Sequence, residues 1–245
     1  KRIGEGAFIG CEQLAEVELC EGLEEIGVSA FFDCKSLKRF KVPSSVKRIG
    51  ERAFSGCQQL VVVDLFEGLD HIEEEAFCGC KSLKRFKVPS TVKYIDDGAF
   101  GDCEQLEVVE VSEGLEYIDA NAFYGCTSLE RFKVPSTVKV IDKAAFQDCD
   151  QLVVVECGEG LEEIGEYSFV DCKSLKRFKV PSTVEAIGMA AFQGCEQLVE
   201  VELCEGLEQI GESAFYGCMS LERFKVPCTV KVIEKWAFSL CDKLG

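Results

Sequence analysis

The apolar residues of this chain fall into a frame of 23 places that repeats from one end to the other. With Cys11 as the first place, Leu fills the fourth from Leu14 to Leu244, Ile the sixteenth from Ile3 to Ile233, and Phe the twenty-first from Phe8 to Phe238. Apolar residues also hold the seventh place (Val17, Phe40, Val63, Phe86), the ninth (Leu19, Val42, Leu65, Val88) and the thirteenth (Leu23, Val46, Leu69, Val92). Internal periods of roughly 20–29 residues are the signature of a solenoid, in which one unit cannot bury its apolar side alone but stacked units can.

Within a unit, stretches such as "LAEVEL" and "LKRFKV" alternate apolar and polar residues around the seventh and ninth places. Period two predicts a short strand with those two places inward and places six, eight and ten outward. A turn at "EG" or "PS" follows, then a second short extended segment ending at the Ile. The unit closes on a pattern such as "GESAFYGC". Here the spacing of Ile26, Ala30 and Phe31 predicts one helix-like turn, too short to stand as a regular helix. Strands of neighbouring coils then lie parallel, ~4.8 Å apart, so each core place becomes a column of like residues. Burial of one Phe contributes roughly 1.5–3 kcal/mol, which makes the Phe column a principal source of cohesion. The predicted architecture is a single solenoid over residues 1–245, with ten full repeats over 11–240, partial repeats at both ends and no linker.

The segments "SLKRFKVPSTVKYIDDGAFGDC" and "QLVEVELCEGLEQIGESAFYGC" resemble the 23-residue leucine-rich repeats of the BspA-like family, whose pattern includes a Pro-Ser turn and an Ile-Gly…Ala-Phe…Cys closure. The resemblance covers essentially the whole chain. It implies a right-handed, curved leucine-rich-repeat solenoid and a surface or secreted protein of interaction or adhesion. The chain departs from the family's usual pattern in the strict alternation of two repeat types and in the near identity of its units.

Odd repeats begin "CEQL", "CQQL" or "CDQL", and even ones "CKSL", "CTSL" or "CMSL". Place eight shows the consequence: it reads Glu18, Lys41, Asp64, Lys87, Glu110, Lys133, Glu156, Lys179, Glu202, Lys225. Like charges on adjacent strands destabilise, whereas opposite ones contribute roughly 0.2–1 kcal/mol per pair, so a two-coil period removes a conflict that identical coils would create. Place fourteen alternates in the same way until Glu185, which falls between Glu162 and Glu208. That break is either drift at an exposed place or a local acidic patch for a cation or basic partner.

The formal net charge is −17. The negative excess lies in the odd repeats, while the even ones are net basic. The basic-aromatic segment "CKSLKRFKVPS" is thus half of a self-neutralising pattern. Nucleic-acid binding needs a clustered positive field and stackable aromatics, whereas Phe40 and its equivalents are expected to face the core. No run of 18 apolar residues is present, so no membrane insertion is expected.

Sixteen Cys would suggest a disulfide framework in a short secreted chain. Eleven of them instead occupy the first place of the frame. Parallel side chains in a column do not converge as a disulfide requires, so buried, unpaired thiols are expected there. Cys20, Cys204 and Cys228 at the strand exit are expected to be more accessible. Cys78, Cys80 and the single His71 fall short of a metal site, and no cofactor is expected. With one His and neither G-x-S-x-G nor a phosphate-cradling loop, catalysis finds no support in the sequence. Gly22, Gly68 and Gly114 recur at the odd turn, where positive φ is the natural reason. All five Pro sit at the even strand exit, where a missing N–H costs least.

A binding surface is expected on the outward strand places, which form one face on a rigid support. At place six, Val62, Val108 and Val154 interleave with Arg39, Arg85, Arg131 and Arg177. Lys41, Asp64, Lys87, Glu110, Lys133, Glu156 and Lys179 flank them at place eight. An apolar-plus-guanidinium stripe suits protein recognition, although Val is also simply a good strand residue. The sequence therefore supports a non-enzymatic protein-interaction solenoid, a piece of a surface or secreted adhesion or recognition protein whose protein partner it does not identify. The alternative is a self-assembling or structural repeat scaffold, consensus-like or engineered, joined by head-to-tail self-association of its uncapped ends. Unpaired cysteines, on the other hand, suit an intracellular compartment.

Overall fold

The computed structural model describes residues 1–245. It is a parallel β-solenoid of ten coils with no helix. The predicted strands form and are short, except that the first coil's "LAEVEL" segment makes no strand. On one face Arg39–Lys41, Val62–Asp64, Arg85–Lys87, Val108–Glu110, Arg131–Val134, Val154–Cys157, Arg177–Lys179, Glu200–Glu202 and Arg223–Phe224 follow one another in coil order. The second extended segment builds a second parallel face of two-residue strands, from Arg2–Ile3 to Val232–Ile233. Register is in phase with the repeat on both faces: Phe40 pairs with Val63, Val134 with Cys157, and Ile118 with Ile141. Both faces are interrupted early in the stack. The first divides after Val62–Asp64, and the second after Arg48–Ile49.

The closing segment differs from the helix-like turn that its Ile, Ala and Phe spacing predicts. Its backbone alternates in hand, with positive φ at Ser29 and Asp33 in the first full coil and at Ala144 and Asp148 in the sixth. Half of its N–H groups turn back within the coil, as Cys34 N–H does to Phe31 O at 3.1 Å. The other half reach forward to the next coil, as Phe31 N–H does to Ala53 O at 2.8 Å. A helix would spend all of these groups internally; a stacked coil must also bond its neighbours. The Phe-to-next-coil bond recurs from Phe8 to Phe215 without a gap, through the coils where both sheets are interrupted.

One apolar cluster of 66 buried residues fills the interior from Leu23 to Ala237. The Phe column is stacked ring on ring, with Phe54 and Phe77 5.4 Å apart and parallel. The even-coil Phe of place seven packs edge-on between two of these rings: Phe40 lies 4.9 Å from Phe31 and 4.6 Å from Phe54. Offset and edge-to-face pairs of this kind add roughly 0.5–1.5 kcal/mol beyond burial.

The frame cysteines are free, and those from Cys34 to Cys218 are buried. Each donates its S–H to the carbonyl of the Phe 26 residues back, as Cys126 does to Phe100 O at 3.2 Å. The thiol is a second donor to a carbonyl that already accepts a backbone N–H, as Phe100 O does from Cys103 at 3.2 Å, so the small Cys adds a bond where a carbonyl has a second lone pair.

Candidate functional site

The strand face brings the predicted stripe together. Arg39 pairs in register with Val62, Arg85 with Val108, Arg131 with both Val108 and Val154, and Arg177 with Val154. Lys41 stands by Asp64, Lys87 by Glu110, Lys133 by Glu156, and Lys179 by Glu202. The valines are half-buried and the charged side chains exposed, because alternation puts Phe40, Val63, Phe86 and Val109 inward. A cleft of about 440 Å³ opens where the first sheet is interrupted, lined by Val62, Asp64, Arg85, Lys87, Val108 and Glu110 among others.

The charge pattern of this face behaves differently from expectation. Opposite charges at place eight are neighbours, yet none of the pairs closes into an ion pair. Contact pairs form instead at place two (Lys81–Glu104, 2.7 Å) and place fourteen (Lys139–Glu162, 2.7 Å). Lys41 leans 6.0 Å from the Phe66 ring, and Lys179 turns to Glu159 at 3.5 Å. Arg39, Arg85 and Arg131 engage no carboxylate, whereas Arg177 approaches Glu200 at 3.6 Å. The donors of the guanidinium groups in the middle of the stripe are thus not taken up by any carboxylate of the chain.

Glu185 is exposed and unpaired, while Glu162 and Glu208 bind Lys139 and Lys231. His71 does not join the cysteines. Its Nδ1 lies 3.2 Å from Asp96 Oδ2, and its ring stacks 4.5 Å from Tyr94. Cys20 and Cys228 are exposed, as their strand-exit places predict, and Cys204 is half-buried.

A second cluster, on the other sheet, escapes the sequence frame. His71, Tyr94 and Tyr117 occupy place fifteen of consecutive coils and stack in register, with Tyr94 and Tyr117 5.4 Å apart. Two places on, Asp96, Asp119 and Asp142 stand where most coils carry Gly. Burial pushes the Asp119 carboxyl above its ordinary range, and the neighbouring Asp142 adds to the rise. Asp96 is pushed up by burial too, opposed by its bond to His71. The only signal in the sequence is the run of three Asp at one variable place beside the run of rings.

Two parallel strand faces closed by a third hydrogen-bonded edge, around a column of Leu, Ile and Phe, define a leucine-rich-repeat solenoid. The family model for the BspA type leucine rich repeat region matches residues 1–107 and 116–245, and the chain belongs to that family. No curated protein sequence matches it. Among solved structures it is similar to a leucine-rich repeat protein from Bacteroides ovatus, at 29% identity, 96% coverage of this chain, 75% of the other and a TM-score of 0.56. A leucine rich cell surface protein from Faecalibacterium prausnitzii is 26% identical over 100% of this chain and 81% of its own, with a TM-score of 0.60. The leucine rich repeat protein of T. pallidum is 33% identical over 66% of this chain and 76% of its own, with a TM-score of 0.59.

Proposed function

We propose that the chain is a non-enzymatic protein-interaction module, part of a surface or secreted recognition protein, that binds a protein partner through its first strand face. The observation that carries this is the stripe in which half-buried valines alternate with Arg39, Arg85 and Arg131, none of them neutralised by a carboxylate of the chain. Arg and a partly apolar centre are what recognition surfaces enrich. The cell surface protein among its structural relatives supports the location, while the free thiols favour an intracellular one. In a pull-down, Val108→Glu/Arg131→Glu is expected to lose at least about tenfold of partner capture, the loss of one hot-spot contact. Capture equal to wild type would sink the proposal.

A scaffold that joins head to tail is the second reading, supported by the strict alternation of odd and even coils along the stack. Stacking odd coil on even coil would extend the internal pattern. Light scattering then shows particle mass rising with concentration; a monomer at every concentration rules this reading out.

A further inference from the structure

The second strand face carries a cleft of its own, separate from the stripe. By the repeat, each fifteenth-place side chain stands beside the seventeenth place of the next coil, which in some coils holds a carboxylate. Arg48 and Glu73 make the first such pair, with Nε to Oε1 at 2.7 Å and Nη2 to Oε2 at 3.1 Å. His71 and Asp96 make the second. At the third and fourth steps the chain offers Tyr94 and Tyr117 instead of a cation, and Asp119 and Asp142 form no ion pair. One oxygen of each accepts the next residue's N–H, from Ala120 at 2.7 Å and Lys143 at 2.6 Å. The lysines nearby are engaged elsewhere: Lys93 with Glu116, Lys139 with Glu162, and Lys143 over the Tyr167 ring at 5.8 Å.

The aromatic stack also has an open end. Tyr94 lies between His71 and Tyr117, so both its faces are covered. Tyr117 has Tyr94 on one side only. Its partner on the other side is Val140, too short to cover the outer part of the ring, and Tyr117 is 39% exposed. The uncovered ring face and the two carboxylates without a cation meet in one cleft of about 390 Å³, lined by Tyr94, Tyr117, Val140, Asp96, Asp119 and Asp142 around Ile118.

We propose that this cleft binds a guanidinium group, as an arginine side chain carries it, laid on the free face of Tyr117 with its N–H donors on Asp119 and Asp142. A guanidinium is planar, stacks on aromatic faces and forks onto carboxylates, whereas an ammonium is a strongly hydrated point charge. The chain uses the same chemistry at the same two places where Arg48 forks onto Glu73. An external arginine continues the row that Arg48 and His71 begin.

The test is saturation-transfer NMR with N-acetyl-argininamide and, as the matched ammonium, N-acetyl-lysinamide. The arginine probe binds, and the lysine probe binds at least about tenfold more weakly, a difference of one charge-assisted fork. Asp142→Asn keeps the shape and removes the charge; Val140→Tyr covers the ring face and keeps the charge. Each weakens the arginine probe about tenfold or more with an unchanged circular dichroism spectrum, while Glu185→Gln on another acidic surface leaves it as in wild type. Absence of arginine-probe binding, equal binding of the two probes, or wild-type binding by either cleft variant overturns the proposal.

Discussion

A single residue shows how strictly the interior is specified. Ser168 stands where every other complete coil has Ala, is fully buried, and has a hydroxyl with no hydrogen-bond partner. An unmet buried polar group costs about 1–3 kcal/mol, so Ser168→Ala is expected to stabilise the fold by about 1–2 kcal/mol. Urea unfolding checks this as a higher midpoint at unchanged slope; an unchanged or lower midpoint contradicts it. At this scale the sequence is legible wherever a place repeats. Phe31, Ile26 and Cys34 lie where their columns put them because burial imposes the same demand on each coil. The Tyr117–Asp142 cleft is not legible that way. It is built from the variable places fifteen and seventeen, where difference between coils looks like relaxed constraint until register sets the differences side by side.

Among the elements, the two strands of a coil follow from alternation, but the closing segment does not follow from its spacing. Positive φ recurs at place nineteen on residues as unlike as Ser29, Arg52, Glu75, Ala144, Tyr167 and Trp236. No glycine signature marks the place, because the ladder to the next coil holds the backbone there whatever the side chain. An L-residue in that region carries a strain of roughly 1–2 kcal/mol, and a β-branched one more. Ala144→Val is therefore expected to destabilise by about 1–3 kcal/mol. Ala144→Gly relieves the strain but gives back part of it as freedom of the unfolded chain, for a net gain of a few tenths to about 1 kcal/mol. Thermal melts of the two variants should move in opposite directions from wild type; the same direction for both would show that the backbone strain is not what decides.

For the whole molecule, the thiol column links stability to pH. An unfolded thiol ionises near 9.0, whereas burial pushes Cys34 of the column up to about 11 and, outside the column, Cys157 up to about 12. Cys80, Cys103, Cys126, Cys172 and Cys195 are pushed well above the ordinary value by the same cause. Above about pH 9 the unfolded chain binds fewer protons than the folded one, so stability falls as pH rises, by up to roughly 1.4 kcal/mol per pH unit for each such thiol. Urea midpoints under reducing conditions should hold steady from pH 7.5 to about 8.5 and drop steeply by about pH 10. A flat profile would mean that the thiols ionise in place. The alternation of coils bears on how a chain of this kind changes length. Loss of residues 126–148 alone would set Glu110 against Glu156, acid on acid, and an odd closing segment against an odd strand. Loss of 103–148 would bring Lys87 to Glu156, a neighbour relation the solenoid already uses. Recombination within such a gene preserves the alternation of charge only when it adds or removes coils two at a time, so the unit that keeps the pattern is the pair.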